Sequence, residues 1–167
     1  QEKLAEIVEQ FESAIVEQSE RRSQIEKDAV YYYMIRKLAS SSKHEVSCIT
    51  TNYTTIGERI INIPNERFSY LHGKLSLFEE LETKNVAVDS VNLSNTVFPY
   101  LLVQSGVKPI ISPYQIREFY KACEMIDNAD EMLIIGYGIN PDDEHITNLM
   151  RNRIRAGKTI KVFVYCK

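Results

Sequence analysis

The sequence predicts an α/β fold: a mainly parallel sheet flanked by helices, entered through an N-terminal helical hairpin. Three observations carry this. The carboxyl half alternates helix, strand, helix, strand, which is the order of parallel βαβ units. Its run Met132-Leu133-Ile134-Ile135 is apolar without alternation, the pattern of a strand covered on both faces. Gly136-Tyr137-Gly138 then makes a tight turn, and a helix start follows, with Asn140 as cap, Pro141 at the first helical position and acids in the first turn. Strand, glycine turn and helix in succession build a ligand crevice at the carboxyl ends of open α/β sheets.

The elements follow in order. Residues 2–18 place Leu4, Ile7, Val8, Phe11, Ala14 and Ile15 at helical spacing. After a polar run, Ile25, Ala29, Met34, Ile35 and Leu38 mark a second helix that fades in Ser40-Ser41-Ser42. Val46 to Thr51 reads as a strand, Thr55 to Ile61 as a short helix and Phe68 to Leu71 as another strand. Residues 74–98 are weakly patterned and receive no assignment. Ser112-Pro113-Tyr114-Gln115 is a helix entrance with a capping-box partner. That helix should turn Ile116, Phe119, Tyr120, Cys123 and Ile126 to the core and end near Ala129. A third helix, from about Pro141, should bury Ile146, Leu149, Met150 and Ile154 and stop at Gly157. Ile160 to Tyr165 is the last strand.

The whole, 1–167, is expected to be one domain, with a helical segment at 1–44 and an α/β part at 45–167. Its 167 residues suffice for a real core. A net charge of −3 sets up no global field toward nucleic acid or anionic lipid. No apolar run reaches the roughly 20 residues of a membrane span. Cys48, Cys123 and Cys166 are odd in number and lie in or beside apolar runs, which fits buried thiols in a reducing cytoplasm. The chain opens on Gln1 inside a helical pattern and is expected to be a piece of a longer protein. Arg151, Arg153, Arg155 and Lys158 complement a helix carboxyl end and read as a solvated face. Tyr31-Tyr32-Tyr33 points three ways around a helix and is expected to be partly buried.

Three strand ends collect polar residues: Thr50-Thr51-Asn52-Tyr53, His72-Gly73, and Gly136-Tyr137-Gly138 with Asp142-Asp143. Each has a structural reading of its own. Asn52 turns the chain or caps a helix as readily as it meets a ligand. His72, taken alone, is more often structural than catalytic. The two aspartates stabilise a helix amino end.

In this order, Thr50-Thr51-Asn52-Tyr53, Leu71-His72-Gly73, Lys108-Pro109 and Gly136-Tyr137-Gly138 with Asp142 and Asp143 resemble the sirtuin-like family of NAD-binding domains, in particular its bacterial branch. The resemblance spans roughly residues 46–165. It implies a Rossmann-like domain with NAD as substrate or ligand. Asn52 would hold the ribose or an attacking water, and His72 would take a proton. Thr50, Thr51, Tyr53, Gly136, Tyr137, Gly138 and Asp142 would line the nucleotide. Cleaving a nicotinamide–ribose bond leaves an oxocarbenium-like sugar, and an orienting amide with a base near neutral pKa suits that step. Bacterial relatives often act in defence against phage.

Three departures stand out. Thr54 replaces the usual Asp and Gly138 the more frequent Ser. The glycine-rich pyrophosphate turn is not present, since the six glycines (57, 73, 106, 136, 138 and 157) cannot form it. No paired Cys-x-x-Cys zinc module exists, and His44 with Cys48 is too little for a metal site, so a zinc-bearing deacetylase is disfavoured and no metal is expected. The expected function is hydrolysis of NAD to nicotinamide and ADP-ribose. The alternatives are a non-catalytic NAD or ADP-ribose sensor, and an assembly module that forms a homo-oligomer or meets a protein partner through residues 1–40. Neither membrane nor nucleic acid is an expected partner.

Overall fold

The computed structural model describes residues 13, 17, 30–80, 82–83, 85–87, 97–101 and 112–163. The first expected helix falls almost wholly outside them. Helix α1 (Val30–Ala39) ends where the serines begin, with the Ser40 hydroxyl donating to the Arg36 carbonyl at 2.7 Å.

Strands β1 (Cys48–Thr50) and β2 (Phe68–Tyr70) pair in parallel, with Cys48 opposite Phe68 and Thr50 opposite Tyr70. Helix α2 (Ile56–Ile61) and a 3-10 turn at Asn65–Arg67 connect them. Alternation splits the side chains between two clusters. Cys48, Phe68 and Tyr70 pack with Ile61 and with Tyr32, Ile35 and Ala39 of α1. Ile49 and Leu71 join the opposite cluster, around Ala122, Ile134, Ile146 and Met150. This strand pair is covered on both sides.

Gly73–Glu80 (β3), Val86–Ala87 (β4) and Val97–Leu101 (β5) form an antiparallel sheet in the order β4-β3-β5, within the region that carried no assignment. The reason is visible in β3. Its buried positions are Gly73, Leu77 and Glu80, and its register with β5 shifts between Gly73 and Phe78, so no period of two survives in the sequence.

Helix α3 (Pro113–Asn128), strand β6 (Glu131–Ile135), helix α4 (Glu144–Arg155) and strand β7 (Thr159–Phe163) complete the described chain. Strands β6 and β7 are parallel from Glu131 opposite Thr159 to Ile135 opposite Phe163. Both helices contribute to one cluster on one side of this pair, through Ala122, Ile146 and Met150. The other side does not follow expectation: Leu133 is 37% exposed, and Val162 and Phe163 are more so. Among the described residues, then, the continuous apolar run is buried on one face.

Two helical stripes depart in part from expectation: Ile126, Ile146 and Met150 are buried as expected, and other positions are not. On α3 the buried residues are Gln115, Ala122 and Ile126, while Ile116 and Tyr120 are exposed. Ala122, fully buried, lets the helix approach closely, and that contact sets the phase. On α4, Ile154 is exposed and Arg153 is buried, its Nη1 donating to the Ile126 carbonyl at 2.6 Å. The basic end is therefore not wholly a solvated face. Arg153 fastens α4 to the carboxyl end of α3. Gly157, at φ +71°, ends the segment as expected.

Candidate functional site

Strands β1 and β2 run side by side, so the segments leaving their carboxyl ends stay together. Leu71 N–H donates to the Thr50 carbonyl at 3.0 Å, and Leu75 N–H to the Tyr53 carbonyl at 3.0 Å. Thr50 Oγ1 accepts from the Asn52 N–H at 3.1 Å, which turns the chain and leaves Asn52 exposed. Thr51 and Tyr53 are half-buried.

The strand before His72 is held from two sides. Ser69, fully buried, donates through Oγ to the Glu118 carbonyl at 3.0 Å, and Tyr70 N–H donates to Glu118 Oε2 at 3.0 Å. On the opposite face, the Tyr70 hydroxyl donates to Glu58 Oε2 at 2.8 Å. After His72 the chain passes through Gly73 at φ +85°, where a Cβ would stand 2.0 Å from the Tyr100 carbonyl oxygen. Only glycine fits there. His72 is thus fixed by both neighbours in sequence.

From the other strand pair comes the bend after β6. Gly136 has φ +64°, and a Cβ at Gly136 or at Gly138 would meet nothing within 4 Å. Ile139 has φ +50°, a strained conformation for a β-branched residue. The expected helix start at Asn140 and Pro141 needs correction. Asn140 instead closes a turn, accepting from Asp142 N–H through Oδ1 at 3.1 Å and from Asp143 N–H through its carbonyl at 3.0 Å. The helix opens three residues later, at Glu144, with Asp143 as its cap residue.

Asp143 does not cap with its side chain. Its carboxylate accepts from the Tyr137 hydroxyl at 3.0 Å through Oδ2, and its Oδ1 lies 3.5 Å from His72 Nε2. His72 and Asp143 are each 4% exposed. Burial, the Asp143 hydrogen bond and its charge all push the Tyr137 phenol up. Burial and then the Asp143 carboxylate also push the Tyr53 phenol up. His145, in the first turn of α4, stacks obliquely at 5.9 Å from both the His72 and Phe119 rings.

Of the residues singled out by sequence, His72 and Tyr137 meet Asp143, and its charge acts on Tyr53. Asn52, Gly136 and Gly138 lie on the exposed segments that lead into this cluster, and Asp142 is exposed. Lys108-Pro109 lies outside the described residues. Sequence reasoning did not single out Asp143 over Asp142, and it passed over His145. The Asp143-Glu144-His145 spacing across a helix start was the available signal.

Comparison with solved structures decides the fold. A Sir2–p53 peptide–NAD+ complex matches with a TM-score of 0.54 at 14% identity, over 78% of this chain and 55% of that one. A structure concerned with the mechanism and regulation of Sir2 enzymes matches at 0.54 and 18% identity, over 78% and 54%. One concerned with sirtuin substrate affinity matches at 0.55 and 14% identity, over 83% and 64%. The chain has a sirtuin-like fold. No protein-family model and no curated protein matches it. It spans between about half and two-thirds of those sirtuin structures' length. Within this sirtuin-like fold, Rossmann-like in its parallel strands and flanking helices, the cluster sits where two parallel strand pairs send out their carboxyl ends.

Proposed function

We propose that the chain binds NAD at the carboxyl ends of β1, β2 and β6 and, in the complete protein, hydrolyses it to nicotinamide and ADP-ribose. The observation that carries this reading is the meeting of His72 with Asp143 and Tyr137 beside the open bend at 136–138. A Sir2 neighbour that carries NAD+ and Sir2 homologues that carry ADP-ribose support the ligand. In the reaction, the ribose C1′–N bond breaks and its electron pair leaves with neutral nicotinamide. Water bonds to C1′, Asn52 orients that water, and His72 accepts its proton. Asp143 orients the imidazole, and Thr50, Thr51, Tyr53, Tyr137 and Asp142 line the nucleotide. The open space above Gly136 and Gly138 leaves room for adenosine against backbone. The motif order of the bacterial branch extends the reading to a cytoplasmic role in phage defence.

Nicotinamide release from NAD by the purified complete protein tests this. His72→Ala and Asn52→Ala should each lower the rate by about 10²-fold or more. Turnover insensitive to both overturns their roles. A second reading, a non-catalytic NAD or ADP-ribose sensor, is favoured by Thr54 and Gly138, which remove an acid and a hydroxyl from the expected ligand contacts. Calorimetric binding of either nucleotide to the complete protein, without turnover, would establish it.

A further inference from the structure

We propose that His72, Asp143 and His145 form a site for one divalent transition metal ion of the zinc class. The three side chains offer two imidazole nitrogens and a carboxylate oxygen, all within 4.8 Å of one another. The His72 Nε2 to Asp143 Oδ1 separation is the telling distance. At 3.5 Å it exceeds the usual N–H···O range of about 2.7–3.2 Å. It is instead close to a tetrahedral edge, since bonds of about 2.0–2.1 Å place neighbouring ligands about 3.3–3.4 Å apart. His145 stands farther off, within 4.8 Å, and an ion would have to draw it inward.

The surroundings are those of a built site. His72 and Asp143 are buried and His145 half-buried, so a bound ion would be held away from bulk water on one side. Tyr137 donates to Asp143 Oδ2 and leaves Oδ1 turned to the imidazole, the outer contact that orients a ligating carboxylate. The cap position makes this more pointed. Asp is a favoured cap, yet this side chain forgoes the cap hydrogen bond and turns toward the histidines. Two imidazoles select zinc, cobalt or nickel over magnesium or calcium, which favour all-oxygen sites. Three protein ligands leave a fourth position for water or substrate.

The site stands on geometry and holds whether or not NAD is turned over. If NAD is turned over as proposed, an ion on His72 takes the lone pair that the reaction needs, and zinc inhibits.

The test uses the full chain, stripped with a chelator and titrated with Co2+, followed by Zn2+ displacement. One equivalent of Co2+ should give the intense visible absorption of a four-coordinate ion, bleached by Zn2+ and untouched by excess Mg2+. His145→Ala should weaken Co2+ binding by at least 10²-fold, and Tyr137→Phe by about 10-fold through the outer contact, with far-UV circular dichroism confirming the fold. Should His145→Ala fail to fold, His145→Gln serves, and it too should lose the four-coordinate spectrum. No saturable Co2+ binding, or affinity equal in the parent and the His145 variants, overturns the site. Nicotinamide release is measured separately, so the two proposals fail independently.

Discussion

Asp143 Oδ1 lies 3.5 Å from His72 Nε2, although the aspartate opens helix α4 and the histidine follows strand β2. This one contact joins the carboxyl ends of two strand pairs that share no backbone ladder among the described residues. Removing the carboxylate leaves the Tyr137 hydroxyl and the buried imidazole without it. Asp143→Ala should therefore destabilise the protein by about 3 kcal/mol, and urea unfolding measures this. A change below about 1 kcal/mol would mean that the two groups are not buried together.

Gly73→Ala should cost more than its conformational term alone. The φ of +85° disfavours any Cβ, and the Tyr100 carbonyl stands 2.0 Å from where that Cβ would be. A loss of about 3 kcal/mol or more is expected by chemical denaturation, because backbone must move to relieve the overlap.

The two glycines of the bend should behave differently. Gly136→Ala meets no neighbour but forces φ +64° on a side chain, at about 1 kcal/mol. Gly138→Ala has neither penalty in the folded chain and should leave the melting temperature unchanged, yet weaken NAD binding if adenosine rests there. Ile139→Gly should stabilise by about 1 kcal/mol, relieving the strain at φ +50°. Thermal melts with calorimetry separate these outcomes.

Ser112 does two things at once. Its Oγ accepts from Gln115 N–H at 3.1 Å, capping α3, and donates to the Tyr100 hydroxyl at 3.1 Å, tying the helix to β5. Ser112→Ala should cost about 2 kcal/mol, the upper range for a cap, because the site is fully buried. A change of a few tenths would leave the cap as surface decoration.

Burial pushes the Cys48 thiol up to about 12 from its ordinary 9.0. Raised in the folded state, this group contributes stability that is full below pH 9 and is lost as pH climbs through 12. Cys48 should therefore alkylate far more slowly than a free thiol between pH 8 and 10, as mass-resolved labelling would show. Labelling at the free-thiol rate would contradict its partial burial against Phe68 and Tyr70.

Much of this architecture was readable from residue pattern. Strands β1, β2, β6 and β7 announce themselves by short apolar runs, and Ser112-Pro113 and Gly157 punctuate α3 and α4 by local chemistry that tertiary contacts do not override. What escaped depends on distance in sequence. Strand β3 hides behind a register shift, and Arg153 is buried only because the Ile126 carbonyl waits for it. At the site, neighbouring aspartates are chemically alike, and only the turn at Asn140 decides that Asp143 points inward and Asp142 out. His72 was legible as a candidate, and its partner was not.

The seam between the strand pairs has a mechanical consequence. β1–β2 and β6–β7 are joined through packed side chains and the His72–Asp143 contact, with no shared backbone ladder among the described residues. Anything that grips both residues at once, whether ion or nucleotide, would act as a rivet across that seam. Occupancy would then register as resistance of both halves to heat, rising with the logarithm of concentration, before any chemistry took place.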